Sequence, residues 1–488
     1  MRSIFFLSSN LPWLDKIPGR IETVYLGKLF WNGVYNEIHC KYKHLLWKKR
    51  LVSSTHVGVW GWNSWCGIHA FPLLTGGDLA GIYKATVDVG FAHPEPTTGL
   101  LPHAVIHKDG AFGSQTEYKC YGGQHGESYN LDNMLCWAKM AMEYFLATND
   151  KAWFTRARLA RITCTVDYML DNLRGRFNPA LVEAGIEGDW TECTDWTLDN
   201  ANVNVNLIET LRLLTGCMAL LGESTAAKDY HAIREAMIAA FNAPVYDGGF
   251  WDPERGHYIH GNDGKGGMVH GDKYFESTTN YFAILWRIAP PEMSKRIWEY
   301  IDAHRWPLEM PLPVLTNLGP RTGARRKDYG RTVTNGDVWM VLGAHAAAAR
   351  LQDGYIKEGT EIYKAIVDYE AREGVLHNCL YPGNNTVNDS WDPEVANYGA
   401  LFAPLVFGAL GMVPGAKGLD FNLAGLDGLE RLEMTFYFDG REHLLRASWK
   451  GNALASAAIH VDGSVIGETN IPRFLLARGT PERVINVP

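Results

Sequence analysis

The strongest constraint on how this chain of 488 residues folds is a helical spacing of apolar residues that recurs about twelve times. The clearest stretches are 128–147, 150–174, 202–221, 224–243, 335–352, 355–373 and 395–410. Weaker ones lie near 24–50, 63–75, 77–91, 277–288 and 291–304. Asp150, Ser224 and Pro290-Pro291 mark starts, by capping or by fixing the first turn. Asn149, Gly175 and Gly222 follow the last periodic residues and can close their helices. Links as short as 148–149 and 222–223 force antiparallel neighbours. The longer connections, 92–126, 175–200, 244–276, 305–334 and 374–394, are rich in Gly, Trp and His, as functional loops are. Six helical hairpins with long loops gathered at one end describe an (α/α)6 toroid, expected over 1–417. An irregular superhelix of helix pairs is the alternative, without that loop asymmetry.

After Gly411 the pattern changes. LERLEMTFYF (429–438), HLLRASW (443–449), SAAIHVDG (456–463) and RVINVP (483–488) alternate between Gly and Asp turns. They predict a small C-terminal antiparallel β appendage over 418–488.

The net charge of −8 is interspersed, with no basic stripe, which argues against nucleic acid or an anionic membrane as partner. No stretch approaches the roughly 20 apolar residues of a membrane span. At the N-terminus, Ser8 and Ser9 cut short the apolar run Ile4–Leu7, too short for a signal peptide. Of the eight cysteines none forms a CxxC pair, and Cys66, Cys136, Cys164 and Cys217 read as buried free thiols, suited to a reducing cytoplasm. Asn384 and Asn388 match the glycosylation pattern, which matters only in a secretory setting.

The segment EGDWTECTDW (187–196) carries Glu187, Asp189, Glu192 and Asp195 around Trp190 and Trp196, just before a helix. Carboxyls move protons and indoles stack on the apolar face of a sugar, so the mixture suits a carbohydrate site. Glu192 and Asp189 are the leading catalytic candidates, since a carboxyl beside Trp190 can stay protonated as a general acid. Asp195 and Asp199, nearer the helix, are expected to cap it. NDSWDPEVANY (388–398) offers Asp389, Asp392 and Glu394 beside Trp391 as bases, although Pro393 and Glu394 also suit a helix start. Asp337 and Trp339 lie at another start, where Asp337 could serve only the first turn. Trp60, Trp62 and Trp65 suit a sugar subsite or a core equally, with Asn63 between them. His125 and Glu127 in GQHGE, like His260, Asp263, His270 and Asp272, lack tight ligand spacing, so no metal and no cofactor is expected. There is no nucleophile elbow, P-loop or dinucleotide fingerprint.

These segments resemble the six-hairpin glycosidase superfamily, and within it the catalytic half of the cellobiose phosphorylase family, over roughly 55–488. GDWTE (188–192) is similar to that family's GDWND, which implies the general-acid role for Glu192, with Asp189 the other matching acid. TNGDVW (334–339) resembles its HNGG segment. ANYGALFAPLVFGALGMVPGAKGLDF (396–421) resembles the last barrel helix and the turn after it, and IHVDGSVI (459–466) the β appendage. Thr334 stands where the phosphorylases place a phosphate-binding His. DPEVANY lacks their SGT segment, and Asn63-Ser64 occupies the place of an Arg-Asp pair, or of the Asp in hydrolase relatives, that grips the non-reducing sugar. Nothing in the sequence predicts their large N-terminal β domain. Water is therefore favoured over phosphate as the nucleophile.

The expected function is an inverting glycoside hydrolase acting on a short oligosaccharide or small glycoside. Glu192 would be the acid and Asp337, Asp389 or Asp392 the base. Trp62, Asn63, Trp190, His125, Glu127, Trp339 and Trp391 would contact substrate. The alternatives are an inverting disaccharide phosphorylase, a sugar epimerase using His125, His345 or His377, and a non-catalytic sugar-binding protein.

Overall fold

The computed structural model describes residues 5–20, 58–76, 78–108, 111–117, 129–184, 198–262, 275, 277–304, 338–374, 376, 379–380, 399–461, 464–466 and 470–472. Its helices are α1 (Gly61–Ile68), α2 (Asp78–Ala92), α3 (Leu131–Thr148), α4 (Arg156–Asn172) and α5 (Ala201–Leu221). There follow α6 (Ser224–Phe241), α7 (Ser277–Leu285), α8 (Pro291–Ala303), α9 (Met340–Gln352) and α10 (Ile356–Glu373). Last comes a wide π-type helix, Pro404–Ala409.

The odd-numbered helices pack on one another in chain order, from α1 through α9 to the π-type helix. The π-type helix returns to α1, where Phe407 stacks on His69 at 4.8 Å and Phe402 meets Phe71 at 5.3 Å. Closure depends on Gly399, since a Cβ there would overlap the Cys66 carbonyl oxygen. Cross-contacts ascend together along the inner helices: Trp62 with Asn133 and Trp65 with Glu143, then Asp132 with Asn202 and Lys139 with Asn206. The inner helices α1, α3 and α5 therefore run parallel. The even-numbered helices return the chain along the outside, each against an inner one. Burial follows this division. Helix α3 is buried nearly all round, whereas α8 buries only Ser294, Ile297, Trp298 and Ile301.

The helix ends follow local chemistry in part. Asn149 (φ 56°) and Gly222 (φ 84°) close α3 and α5 in the left-handed region, and Pro291 opens α8. Asp150 does not open α4; it accepts from the Trp153 amide, and the link grows to 149–155, with Thr155 as cap of α4. Helix α4 ends at Asn172, short of Gly175. Ser224 is the first residue of α6 rather than its cap. Cys66, Cys136 and Cys217 are buried and free, but Cys164 is only half-buried, with its thiol on the Thr98 carbonyl.

Four stretches expected to be loops, 92–126, 175–200, 244–276 and 374–394, contain strands. These are Ala104–Lys108 and Ala111–Glu117 in the first, and short pieces such as Glu183–Ala184, Gly261–Asn262 and Cys379–Leu380 in the others. The C-terminal part forms an antiparallel sheet whose order runs Leu7–Ser9, Arg431–Phe438, Arg441–Lys450, Ala453–Val461, Ser464–Ile466. Its first strand comes from the other end of the chain, with Leu7 buried within it and Phe5 buried just before it. Asp439-Gly440 (φ 53° and 76°) makes the two-residue hairpin turn that the right-handed strand twist favours. The sheet docks on the helices where the Asp439 amide donates to the Ala147 carbonyl. Residues 483–488 lie outside the described residues. Among the described residues no helix is long and apolar enough to cross a membrane.

Candidate active site

Three inner helices begin without a loop. The helix caps Trp60, Asn200 and Trp339 have extended dihedrals (φ −95°, −102° and −108°), so the residue that caps the helix also ends a strand. The strands are Gly58–Trp60, Leu198–Asn200 and Val338–Trp339. Each pairs with a strand from a neighbouring connection: Val59 with Val105, Asp199 with Glu183 and Asn262, and Val338 with Leu380. Small sheets thus form a belt at the N-terminal ends of α1, α5 and α9 and pin parts of the long connections there. Asp199 is part of this belt rather than a helix cap. Its carboxylate accepts from the amides of Arg176, Phe177 and Asn178 at 2.7, 3.1 and 3.3 Å, while Asn200 caps α5 by accepting from Val203.

The sequence candidates relate to this belt as follows. Glu192, Asp189 and Trp190 lie outside the described residues, but the segment carrying them leaves at Ala184 and returns at Leu198, which pair with each other. Asp337 is also outside them, one residue before Val338. Asp389, Trp391 and Asp392 are outside them too, beyond Leu380, the partner of Val338. His125, Glu127 and His377 are likewise outside the described residues, as is the side chain of Asn63 on α1. Trp62 and Trp339 are described and buried (1% and 6% exposed), and their rings meet edge to face at 6.2 Å. Among the described residues no group of His, Cys, Asp and Glu could hold a metal.

Below the belt, a polar column that the sequence reading missed runs along the axis. Asp132 accepts from Asn202 at 3.0 Å, and Asn206 donates back to Asn202. Lys139 donates to Asn206 at 2.6 Å and sits 3.5 Å over the ring of Trp65. The Trp65 indole N–H donates to both Glu143 oxygens at 3.0 and 3.1 Å. On α3 these residues stand seven and four positions apart (132, 139, 143) and on α5 four apart (202, 206), so each helix carries its members on one face. That polar spacing was the available signal, hidden within helices that are mostly apolar. Burial pushes the Glu143 carboxyl up to about 7, against the pull of Trp65 and Lys139. Burial also lowers His69 to about 3 and drives His345 well down, so both rings are neutral. Cys136 is pushed up to about 12, mainly by burial, and is no ready nucleophile.

No family profile and no curated protein matches this sequence. Solved structures do resemble it. An α-L-rhamnosidase from Dictyoglumus thermophilum superposes over 94% of this chain and 44% of its own, with TM-score 0.56 and 13% identity. A GH78 family rhamnosidase of Bacillus sp. GL1 covers 94% and 41%, with TM-score 0.58 and 14% identity. A sialidase structure covers 95% and 40%, with TM-score 0.61 and 11% identity. The chain spans less than half the length of each, and over nearly all of its own length it shares their fold.

Proposed function

We propose that the chain is a glycoside hydrolase on an (α/α)6 toroid of six helical hairpins, with 418–488 as a β appendage. The observation that supports this most is the likeness to two rhamnosidase structures over 94% of the chain. The acid-and-indole segments agree with it, because the strand pairs that flank them all belong to one end of the inner helices. Glu192 donates a proton to the glycosidic oxygen as the bond to the anomeric carbon breaks. A carboxylate from Asp337, Asp389 or Asp392 takes a proton from water, whose oxygen bonds to that carbon from the opposite face. Inversion of this kind needs the two carboxyls about 6.5–9.5 Å apart. The pairing of Val338 with Leu380 supports drawing the base from these two segments, since it joins the chain beside Asp337 to the start of the stretch carrying Asp389. Asp189 assists the acid. Trp190, Trp391, Asn63, His125 and Glu127 hold a small glycoside, above a floor stiffened by Trp62 and Trp339. Thr334, in place of a phosphate-binding His, supports water as the acceptor.

The test is a panel of p-nitrophenyl glycosides, including the α-L-rhamnopyranoside, assayed with and without inorganic phosphate. Hydrolysis without phosphate is expected. Glu192→Gln should lower kcat by about 10²–10⁴-fold with little change in KM on natural glycosides. NMR should show the inverted anomer first. Full turnover by Glu192→Gln, or a strict phosphate requirement, would overturn the reading.

A further inference from the structure

The other end of the inner helices, away from the belt, holds a cavity of about 410 Å³. Its walls come from the later turns of the inner helices, with Glu143 on α3, Arg212 on α5 and Gln352 on α9, and from the turn Gly411–Pro414 that leads into the sheets. The volume falls within the roughly 300–1,000 Å³ of small-molecule sites. Two half-buried rings line it, Trp286 and Phe407. Each is held by stacking on another ring, Phe282 at 4.3 Å and 16° and His69 at 4.8 Å and 13°.

The charges here are already balanced. Arg212 is clasped by Glu209 through two bonds of 2.8 and 2.7 Å, and Arg234 pairs with Glu235. Glu143 holds the Trp65 N–H, with Lys139 behind that ring. A small anion would meet Glu143 and Glu209, and a small cation would meet Arg212 and Arg234. Polar capacity is nonetheless left over. His345 is 1% exposed and lines the cavity with neither ring nitrogen hydrogen-bonded, and the Nε2 of His69 and the Nε of Arg234 are buried without partners. A neutral imidazole offers one donor and one acceptor. Each such buried group left unmatched costs about 1–3 kcal/mol. Hydroxyl groups, which donate and accept alike, match this set, and a ring of C–H bonds matches the two aromatic faces.

We propose that this cavity is a second ligand site, separate from the candidate active site, for a small neutral polyhydroxylated molecule of monosaccharide size. Trp286 and Phe407 form its platform, and His345, Arg212 and Glu143 bond its hydroxyls. The site requires no turnover, so it stands whether or not the chain hydrolyses glycosides.

The experiment is calorimetric titration of the full chain with L-rhamnose, D-glucose, D-mannose and D-galactose, with citrate and choline as charged probes. Four proteins are compared: wild type, Glu192→Gln, Trp286→Ala and the milder Phe407→Leu, each checked for an unchanged circular dichroism spectrum. At least one sugar is expected to bind wild type and Glu192→Gln alike, about tenfold or more weakly to Trp286→Ala, and measurably more weakly to Phe407→Leu. Absence of sugar binding, binding insensitive to both ring substitutions, binding lost in Glu192→Gln, or a preference for citrate or choline would each overturn the proposal. Hydrolysis measured in parallel separates the two readings: turnover without cavity binding sinks only this one, and cavity binding without turnover sinks only the hydrolase.

Discussion

Glu143→Gln isolates the cost of holding a carboxylate at the far end of the ring. In the unfolded chain this group ionises near its ordinary 4.5, whereas in the fold burial holds it up to about 7. Between those two values the folded protein keeps a proton that the unfolded chain has released, so stability falls as pH rises. The contribution is fully present below 4.5 and is lost as pH passes through 7. A rise from 4.5 to about 7, at about 1.4 kcal/mol for each pH unit, amounts to about 3 kcal/mol. Solvent that reaches the carboxylate through the cavity screens it, which makes this a ceiling. Glutamine keeps an oxygen to accept the Trp65 N–H, so the bond at 3.0 Å survives while the ionisation disappears. Urea denaturation of both proteins from pH 4 to 8.5 reads the difference. The two should converge near pH 4, and the variant should gain up to about 3 kcal/mol on wild type by pH 8.5. Parallel profiles over the whole range would refute the argument that burial dominates this site, and so would a variant less stable than wild type at pH 8.5.

Other perturbations probe ring closure, the column and the belt. Gly399→Ala drives a methyl into the Cys66 carbonyl where the ring closes, and should cost about 3 kcal/mol or more in urea denaturation. Lys139→Met leaves the Asn206 carbonyl oxygen buried without its donor and should cost about 2 kcal/mol; adding Asn206→Leu should recover part of that loss. Asp199→Ala strips the acceptor from three amides at 176–178, so trypsin should cut at Arg174 or Arg176 about tenfold faster or more, with the rest of the chain protected as before.

The solved structures are more than twice as long as the part this chain matches, so their likeness speaks to the scaffold.

Local signals in the sequence were enough for the helices and for several of their ends. Apolar spacing located α3, α5, α6 and α10 to within a few residues, because side chains one turn apart must share a buried face. Asn149, Gly222 and the Asp439-Gly440 turn were legible because a left-handed backbone conformation is a property of the single residue. The belt strands were not legible. Pieces such as Val338–Trp339 and Cys379–Leu380 are two residues long and exist only because a distant segment pairs with them. Asp150 and Asp199 look alike as capping residues, and only the approach of 176–178 assigns Asp199 to the belt. The polar column and the cavity beyond it were equally hidden. Lys139 and Glu143 sit on a helix whose periodicity predicts burial, and what makes a buried charge tolerable is the set of partners that other helices bring to it. The sequence by itself therefore determined where the helices lie and which pieces carry acids beside indoles. Tertiary packing alone decided which polar groups share the axis, because those contacts join helices from across the whole chain.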